Sequence, residues 1–148
     1  MGGVKRDQTD SIIDLISKIR ESANMLIERE LVARGIDGIV PAHGTVFAFL
    51  FRQQGPVPVM SLVEWSGRAK STMTGIVQTL EKHGYVYRQP SAEDARSVLI
   101  GLTEKGWAIK RDFEGISDLL IKKAYGAIPA SDRKRLVTLL AQIEKNMG

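Results

Sequence analysis

Polar and basic side chains that could bind a nucleic acid follow one another over residues 68–78. They are Arg68, Lys70, Ser71, Thr72, Thr74, Gly75 and Gln78. Lysine and hydroxyl side chains at a helix start, beside free backbone N–H groups, can bind phosphate oxygens. Thr and Gln side chains further along can hydrogen-bond to base edges, and a glycine between them lets the backbone come close. The stretch predicts a surface that reads nucleic acid, with an ordinary solvated helix face as the alternative.

A second set of candidate residues lies in a polar segment between two short apolar runs. Arg88 ends the first run, and the polar segment carries Glu93-Asp94-Ala95-Arg96. An arginine at the tip of a β-hairpin can enter the minor groove of a duplex, whose negative potential attracts it. Because charges of both signs are also common in solvated turns, this segment alone does not assign a function.

The residue types that nucleophilic, metal-dependent or redox chemistry needs are scarce. The sequence has no cysteine, which excludes a thiolate nucleophile and oxidation of a cysteine as a regulatory trigger. The two histidines, His43 and His83, are too few and too far apart in sequence for a histidine metal cluster. No glycine-rich phosphate loop and no Ser-His-acid arrangement is present. We therefore expect no enzyme, no cofactor and no metal.

Hydrophobic periodicity predicts the helix that positions residues 68–78. Its apolar residues recur at helical spacing over about residues 71–83, namely Met73, Ile76, Val77 and Leu80. Gly84 stands where a left-handed conformation can end this helix. A shorter helix is predicted from Pro58, in its first turn, to just before Gly67. The two helices and the tight turn between them form a helix-turn-helix pattern.

The periodicity then changes from that of a helix to that of a strand. Residues 85–88 are typical of one strand, and Val98, Ile100 and Leu102 alternate along a second. Two helices joined by a tight turn and followed by a hairpin describe a winged helix-turn-helix, whose second helix enters the major groove. We therefore predict a mainly α fold with a small β-hairpin wing.

Four further helices are predicted around this unit. They run over about residues 9–34, from Pro41 to near Gly55, over about residues 104–125, and from beyond Pro129 to near Lys145. Thr9 or Asp10 can cap the first, Gly35 can end it, and Thr103 can cap the third.

The long first and third of these helices, together with the last, have apolar faces that the small winged unit cannot cover. These faces include Ile12, Ile16, Ile19, Trp107, Phe113, Leu119, Leu120, Leu136 and Leu140. A monomer would expose a larger apolar patch than most soluble proteins tolerate. We therefore expect these faces to be buried across a two-fold interface between two copies of the chain.

The charge balance is basic but small. The 148 residues hold 21 Lys and Arg against 17 Asp and Glu, a net charge of +4 that permits an anionic partner without proving one. Five basic residues against three acidic ones place +2 of that charge between residues 66 and 100. No apolar run is long enough to span a bilayer, and the first residues lack the apolar core of a signal peptide. A cytoplasmic location is expected.

Several segments of the chain share their order and spacing with a known family. They are Lys70-Ser71-Thr72-Met73-Thr74-Gly75-Ile76-Val77, Leu80-Glu81-Lys82-His83-Gly84-Tyr85-Val86 and then Arg88, Asp94-Ala95-Arg96, and Leu102-Thr103-Glu104-Lys105-Gly106. Together they resemble the MarR (multiple antibiotic resistance regulator) family of winged-helix transcription factors. The resemblance implies one domain over residues 1–148, with the winged helix at 36–104 and dimerisation helices at 7–35 and 105–147.

The resemblance also implies how such a protein binds DNA. It implies an obligate homodimer on a palindromic operator in double-stranded DNA, with the two recognition helices about 34–36 Å apart in successive major grooves. In the family's wing motif the aspartate braces the loop by ion pairing and the arginine enters the minor groove. These roles fall on Asp94 and Arg96.

Regulation by a small molecule is a further implication of the resemblance. It suggests a repressor that is released by an anionic or aromatic effector. His43, Phe47 and Trp107 are the residues that could line its pocket. For His43 a capping or surface role is the alternative, and for Trp107 the alternative is packing.

A different class of function stays open beside the DNA-binding regulator. A winged-helix module that binds only protein would not need Lys70, Thr74, Gln78 and Arg96 to line one basic surface. Salt dependence separates the two, since DNA binding weakens steeply with ionic strength as counterions are released.

Overall fold

The computed structural model describes residues 8–148, so residues 1–7, including the first residue of the predicted 7–35 segment, lie outside the described residues. Over residues 8–148 the chain forms seven α-helices and three β-strands. The helices are α1 (Ile12–Ala33), α2 (Gly44–Leu50), α3 (Val59–Ser66), α4 (Lys70–Lys82), α5 (Glu104–Ala108), α6 (Lys110–Tyr125) and α7 (Ala130–Met147). The strands are β1 (Val57–Pro58), β2 (Val86–Pro90) and β3 (Val98–Leu102). The mainly α fold with a small β wing is confirmed.

One apolar core joins α2, α3 and α4 to the sheet. Its fully buried side chains are Val46, Phe47, Leu50, Leu62, Met73, Val77, Leu80, Val86 and Ile100. Burial of each Val, Leu, Ile, Phe or Met side chain contributes about 1.5–3 kcal/mol, so the contacts hold the three helices in fixed positions. Met73, Val77 and Leu80 come from the predicted apolar side of α4, and Ile76 packs beside them, partly buried.

The sheet has one strand more than the predicted hairpin. Its order is β1-β3-β2, and both pairings are antiparallel. In β1, Val57 lies opposite Ile100 and Pro58 lies opposite Leu99. A strand of two residues shows no alternation that periodicity could detect, and Pro58 has no N–H to extend the pairing. The short strand holds the start of α3 against the wing.

The predicted start of the first helix is wrong, and its predicted end is right. A 3₁₀ turn over Gln8–Ser11 precedes α1, so neither Thr9 nor Asp10 caps it. The Ser11 hydroxyl donates to the Gln8 carbonyl at 2.7 Å instead of accepting from the helix. Gly35 follows the helix with a positive φ of 69°.

Two other predicted helices differ from the observed ones. α2 ends at Leu50 rather than near Gly55, and the predicted helix over residues 104–125 is interrupted at Ile109, which has ψ near 1°. The Ile109 side chain packs against the core, which holds the backbone there in a non-helical conformation. Thr103 caps α5 as predicted, because its hydroxyl accepts the Gly106 N–H at 3.1 Å.

The flanking helices leave much of their apolar surface uncovered within one chain. α7 contributes no buried residue. Exposed apolar side chains from the predicted interface are Ile12, Ile19, Trp107, Leu119, Leu136 and Leu140. Phe113 is a correction, since it packs on the core of its own chain with its ring 5.3 Å from that of Phe51. None of the helices over residues 8–148 combines the length and the apolar character needed to cross a membrane.

Candidate nucleic-acid interface

A short turn after α3 sets the direction of α4. Gly67 ends α3 with a left-handed backbone, at φ 65° and ψ 13°. The Ser66 hydroxyl donates to the Val63 carbonyl at 2.9 Å and accepts the Arg68 N–H at 3.2 Å. These bonds fix the turn and leave the exposed Arg68 side chain just before the helix.

The N-terminus of α4 presents unpaired backbone donors to solvent. The first helical hydrogen bond joins Met73 N–H to the Ala69 carbonyl at 3.1 Å. The N–H groups of residues 70–72 therefore have no partner within the helix. This is the end at which phosphate contacts were predicted.

The opposite side of α4 from the core is polar and accessible. Lys70, Ser71, Thr72, Gly75 and Gln78 are exposed, and Thr74 is half-buried. A Cβ placed on Gly75 would meet no atom within 4 Å, so the free protein leaves open space above this glycine. The division of α4 into an apolar side and a polar side is the one that its periodicity predicted.

Hydrogen bonds from backbone N–H groups, most of them to side-chain oxygens, brace the wing between β2 and β3. The Ser91 hydroxyl accepts the N–H groups of Glu93 and Asp94, both at 3.3 Å. Asp94 Oδ1 accepts the Arg96 N–H at 3.0 Å, and the Asp94 carbonyl accepts the Ser97 N–H at 2.9 Å. The ion pair that the family motif implies is long and solvated, with 3.9 Å between Arg96 Nε and Asp94 Oδ1. Asp94 thus holds the loop mainly through its contact with the backbone.

Three cations from three elements meet at one groove between α4 and the wing. Lys70 comes from α4, Arg88 from β2 and Arg96 from the wing loop, and Thr74 lies beside them. Val59, Val77 and Val98 contribute the apolar part of its wall. A groove lined by cations attracts a polyanion such as a nucleic-acid backbone.

Arg88 does not face this groove as a free charge. Its Nε and Nη2 both donate to Glu81 Oε1, at 3.1 and 2.9 Å. The hydrogen bond from Arg88, and its charge, hold the pKa of the Glu81 carboxyl below its usual value, so the pair is ionised at neutral pH.

The structure separates the predicted residues into two groups. Lys70, Thr74, Arg88 and Arg96 line the groove, whereas Arg68, Ser71, Thr72, Gly75 and Gln78 lie on the turn and the exposed side of α4 outside it. Sequence reasoning missed Glu81 and Ser91. The seven-residue spacing of Glu81 and Arg88 carries no signal unless the end of α4 and the start of β2 are both placed correctly.

A separate apolar cavity of about 180 Å³ lies between α1, α2 and α6. Phe47, Phe113 and Ile116 line it, together with apolar residues of α1 and of the segment before α2. Ser117 contributes the one polar side chain among the described residues that line it. This cavity lies where an effector pocket was predicted.

His43 and Trp107 do not line that cavity. His43 is buried, and its Nδ1 accepts the Val40 N–H at 3.2 Å, which is a capping contact. Burial lowers the pKa of the His43 imidazole, and the nearby His83 lowers it further. Trp107 packs against Phe51, with ring centroids 5.8 Å apart. The assignment of an effector site to His43, Phe47 and Trp107 stays a prediction.

The architecture defines the class of protein. Two helices joined by a tight turn, a third helix behind them and a β-wing beside the second helix form a winged helix-turn-helix. Long helices flank this unit on both sides in sequence.

Comparison with known proteins narrows the class to a family. The model of the MarR family matches residues 49–98, which confirms the predicted resemblance over this winged-helix segment. The regulator YfiV of Bacillus subtilis, described as an uncharacterized HTH-type transcriptional regulator, is 32% identical over 85 residues. That match covers 57% of this chain, and the chain spans about half of that relative, 53% of its length.

Solved structures show that the likeness of fold extends beyond the matched segment. The PcaV transcriptional regulator from Streptomyces coelicolor, in complex with its natural ligand, superposes with a TM-score of 0.84 over 100% of both chains at 16% identity. A mutant MarR from E. coli, complexed with operator DNA, superposes with a TM-score of 0.76 at 23% identity, over 93% of this chain and 99% of that one. The chain shares the fold of these regulators along nearly its whole length.

Proposed function

We propose that this chain is a cytoplasmic, homodimeric repressor that binds a palindromic operator in double-stranded DNA and catalyses no reaction. The observation that carries the proposal is the groove in which Lys70, Arg88 and Arg96 meet beside the polar side of α4. The three cations lie on separate elements, and the fold brings them to one surface. A surface of this kind matches the regular charge of a duplex.

Each element has a distinct part in the proposed complex. α4 is 13 residues long, or about 20 Å, and enters the major groove with its polar side. Arg68, Lys70, Ser71 and Thr72 hold phosphates at its N-terminus, while Thr74 and Gln78 meet base edges. Arg96, at the exposed tip of the wing, enters the adjacent minor groove.

A second copy of the chain is proposed to cover the exposed apolar side chains of α1 and α7. One chain leaves Ile12, Ile19, Leu136 and Leu140 accessible on these helices. Large exposed apolar patches are uncommon on soluble monomers, so exposed apolar side chains on both helices favour a partner surface. A two-fold dimer would also carry two α4 helices, as a palindromic operator requires.

Release by a small molecule is the remaining part of the proposal. The cavity between α1, α2 and α6 has the volume of one aromatic ring with small substituents, since an apolar cavity of about 150 Å³ binds benzene. Its apolar lining suits an aromatic effector better than an anionic one. An occupant would lie between the helices proposed for dimerisation and α2, so it could change the spacing of the two DNA-reading units.

Selection of bound duplexes from a random pool tests the DNA-binding proposal. We expect an enriched palindrome, and an affinity for it that falls steeply as salt rises in an anisotropy titration. Failure to enrich any sequence, together with weak binding that salt does not change, would favour the protein-binding module instead.

Direct readout is tested by the Gln78→Ala variant. It should relax the base preference of the enriched sequence at one position while random DNA binds as before. Equal losses on the enriched and random duplexes would contradict a base contact at Gln78.

A further inference from the structure

A carboxylate lies at the edge of the basic groove, and we propose that it determines how selectively the groove binds DNA. Glu81, in the last turn of α4, positions Arg88 of β2 and suppresses its binding to nonspecific DNA. The inference rests on the proposed DNA-binding function and adds to it a residue that acts through another.

The geometry of the pair leaves Arg88 partly engaged. Its Nε and Nη2 both donate to a single oxygen, Glu81 Oε1. Within residues 8–148, Arg88 Nη1 and Glu81 Oε2 have no hydrogen-bond partner, and the two side chains are 35% and 36% exposed. Arg88 therefore has a fixed direction and N–H groups left to donate, and it lines the groove from that position.

The other two groove cations are held much less firmly. The Arg96 side chain is 96% exposed and 3.9 Å from its carboxylate partner. Lys70 is exposed and forms no ion pair with another of the described residues. These two can follow phosphates in many registers, whereas Arg88 cannot leave Glu81 without losing two hydrogen bonds.

The ion pair between Glu81 and Arg88 should affect nonspecific and specific DNA binding to different extents. Nonspecific binding comes from phosphate attraction in any register, to which a neutralised cation adds little and a carboxylate adds repulsion. A specific complex holds one acceptor at a defined place, where the remaining N–H groups of Arg88 can form a charge-assisted hydrogen bond. Glu81 should therefore weaken nonspecific binding more than specific binding.

The Glu81→Gln variant tests the proposal, because its amide oxygen can still accept from Arg88 while the negative charge is removed. Affinity is measured at several salt concentrations for a duplex selected by the wild-type protein from a random pool, and for a scrambled duplex of equal composition. We expect the affinity for the scrambled duplex to rise about 3–10-fold and its salt slope to steepen by about one phosphate contact per chain. The affinity for the selected duplex should rise less, so that the ratio of the two falls about threefold or more.

Two further comparisons separate positioning from a general effect of charge. Glu93→Gln removes the same charge from the wing loop, where Glu93 forms no ion pair within the described part of the chain. It should change both affinities equally and keep their ratio. In a protein that already carries Arg88→Gln, the Glu81→Gln change should no longer alter the ratio, because its effect passes through Arg88.

Thermal unfolding confirms that each variant is folded before its affinity is compared. Should Glu81→Gln fail to fold, Arg88→Lys replaces it, since lysine keeps the charge but not the two-bond contact and should also lower the ratio. An unchanged ratio, an equal change in Glu93→Gln, or an effect that persists without Arg88 overturns the proposal. A wild-type protein with no preference for any selected duplex overturns the proposed function as well, so the two failures are distinguishable.

Discussion

Arg96 differs from the other groove cations in that its backbone is fixed while its side chain is free. The Arg96 N–H donates to Asp94 Oδ1 at 3.0 Å, whereas its guanidinium is almost fully exposed. A residue held in this way keeps its place at the tip of the wing and can still adjust to the width of a minor groove. At the scale of single residues, Asp94 therefore fixes the backbone of the wing, and Arg96 supplies the side chain that can bind DNA.

Replacing Arg96 with alanine should cost about 1–3 kcal/mol of binding free energy for the selected duplex. The melting temperature should not change, because the side chain contacts almost nothing in the free protein. Anisotropy titration measures the affinity, and Arg111→Ala, at an exposed position of α6, is the control with the same loss of charge. Equal losses in the two variants would mean that Arg96 acts only through net charge.

Replacing Gly75 with alanine should have opposite effects on the stability of the protein and on its affinity for DNA. A Cβ there meets open space, so Gly75→Ala should stabilise the protein by about 0.5–1 kcal/mol through better helix propensity. In the complex the same methyl group would occupy space between α4 and the bases, and the affinity should fall about threefold or more. Urea unfolding and anisotropy measure the two effects, and an alanine variant that binds as well as wild type would exclude a close approach at Gly75.

The segment between α1 and α2 shows how a whole element depends on one neutral side chain. His43 Nδ1 accepts the Val40 N–H, and an acceptor nitrogen carries no proton. Protonation would place a second donor against Val40 and a positive charge in a buried position. Protonation of His43 should therefore destabilise the 3₁₀ turn that leads into α2, over Pro41–His43.

Acidification should accordingly destabilise the fold through His43. The pKa of His43 is lower in the folded chain than the value of 6.5 expected when it is unfolded, so the unfolded state binds more protons below neutral pH. The stabilising contribution is complete above about pH 6.5 and is lost as the pH falls through and below that value, by at most about 1.4 kcal/mol per pH unit. Urea unfolding at a series of pH values measures this loss.

His43→Asn provides the comparison, because its amide oxygen can replace the acceptor without titrating. Its free energy of unfolding should depend less on pH than that of the wild type between about pH 7.5 and 5. His83→Asn should weaken the pH dependence only in part, because the nearby His83 also lowers the pKa of His43 but burial lowers it more. Parallel pH profiles for the wild type and His43→Asn would exclude His43 as the cause.

Elements were predictable from the sequence where local signals determine them. The core side of α4, the positive φ of Gly84, the cap at Thr103 and the two wing strands all follow from periodicity or from one residue's conformational preference. The short strand β1 and the interruption at Ile109 arise from contacts with distant residues, which no local pattern records. Predicting the groove requires both local signals and contacts between distant residues, because Lys70 and Arg88 are close only after β2 packs beside α4.

At the scale of the whole molecule, the structure divides into a core that is complete and helices that are not. The winged unit buries its own apolar residues, while α7 buries none and α1 buries only Leu26 and Leu31. The cavity that could receive an effector lies where these two parts meet. We therefore expect that mutations can change the dimerisation of two chains without changing the stability of the winged unit.

A charge on the apolar side of α7 should prevent dimerisation without unfolding the winged unit. In Leu136→Glu and Leu140→Glu a carboxylate replaces a leucine that is already exposed within one chain, so the core loses no contact. Buried across an interface, that unpaired carboxylate would cost several kcal/mol, so we expect the variants to sediment as monomers and the wild type to sediment as a dimer.

Thr138→Glu is the control, because it places the same charge on an exposed polar position of α7 and should leave the dimer intact. Affinity for a palindromic duplex should fall with the dimer and remain in the control, because a monomer engages only one half-site at a time. A monomeric wild type would contradict the proposed dimer itself, and leucine variants that stay dimeric would show that α7 is not part of the interface.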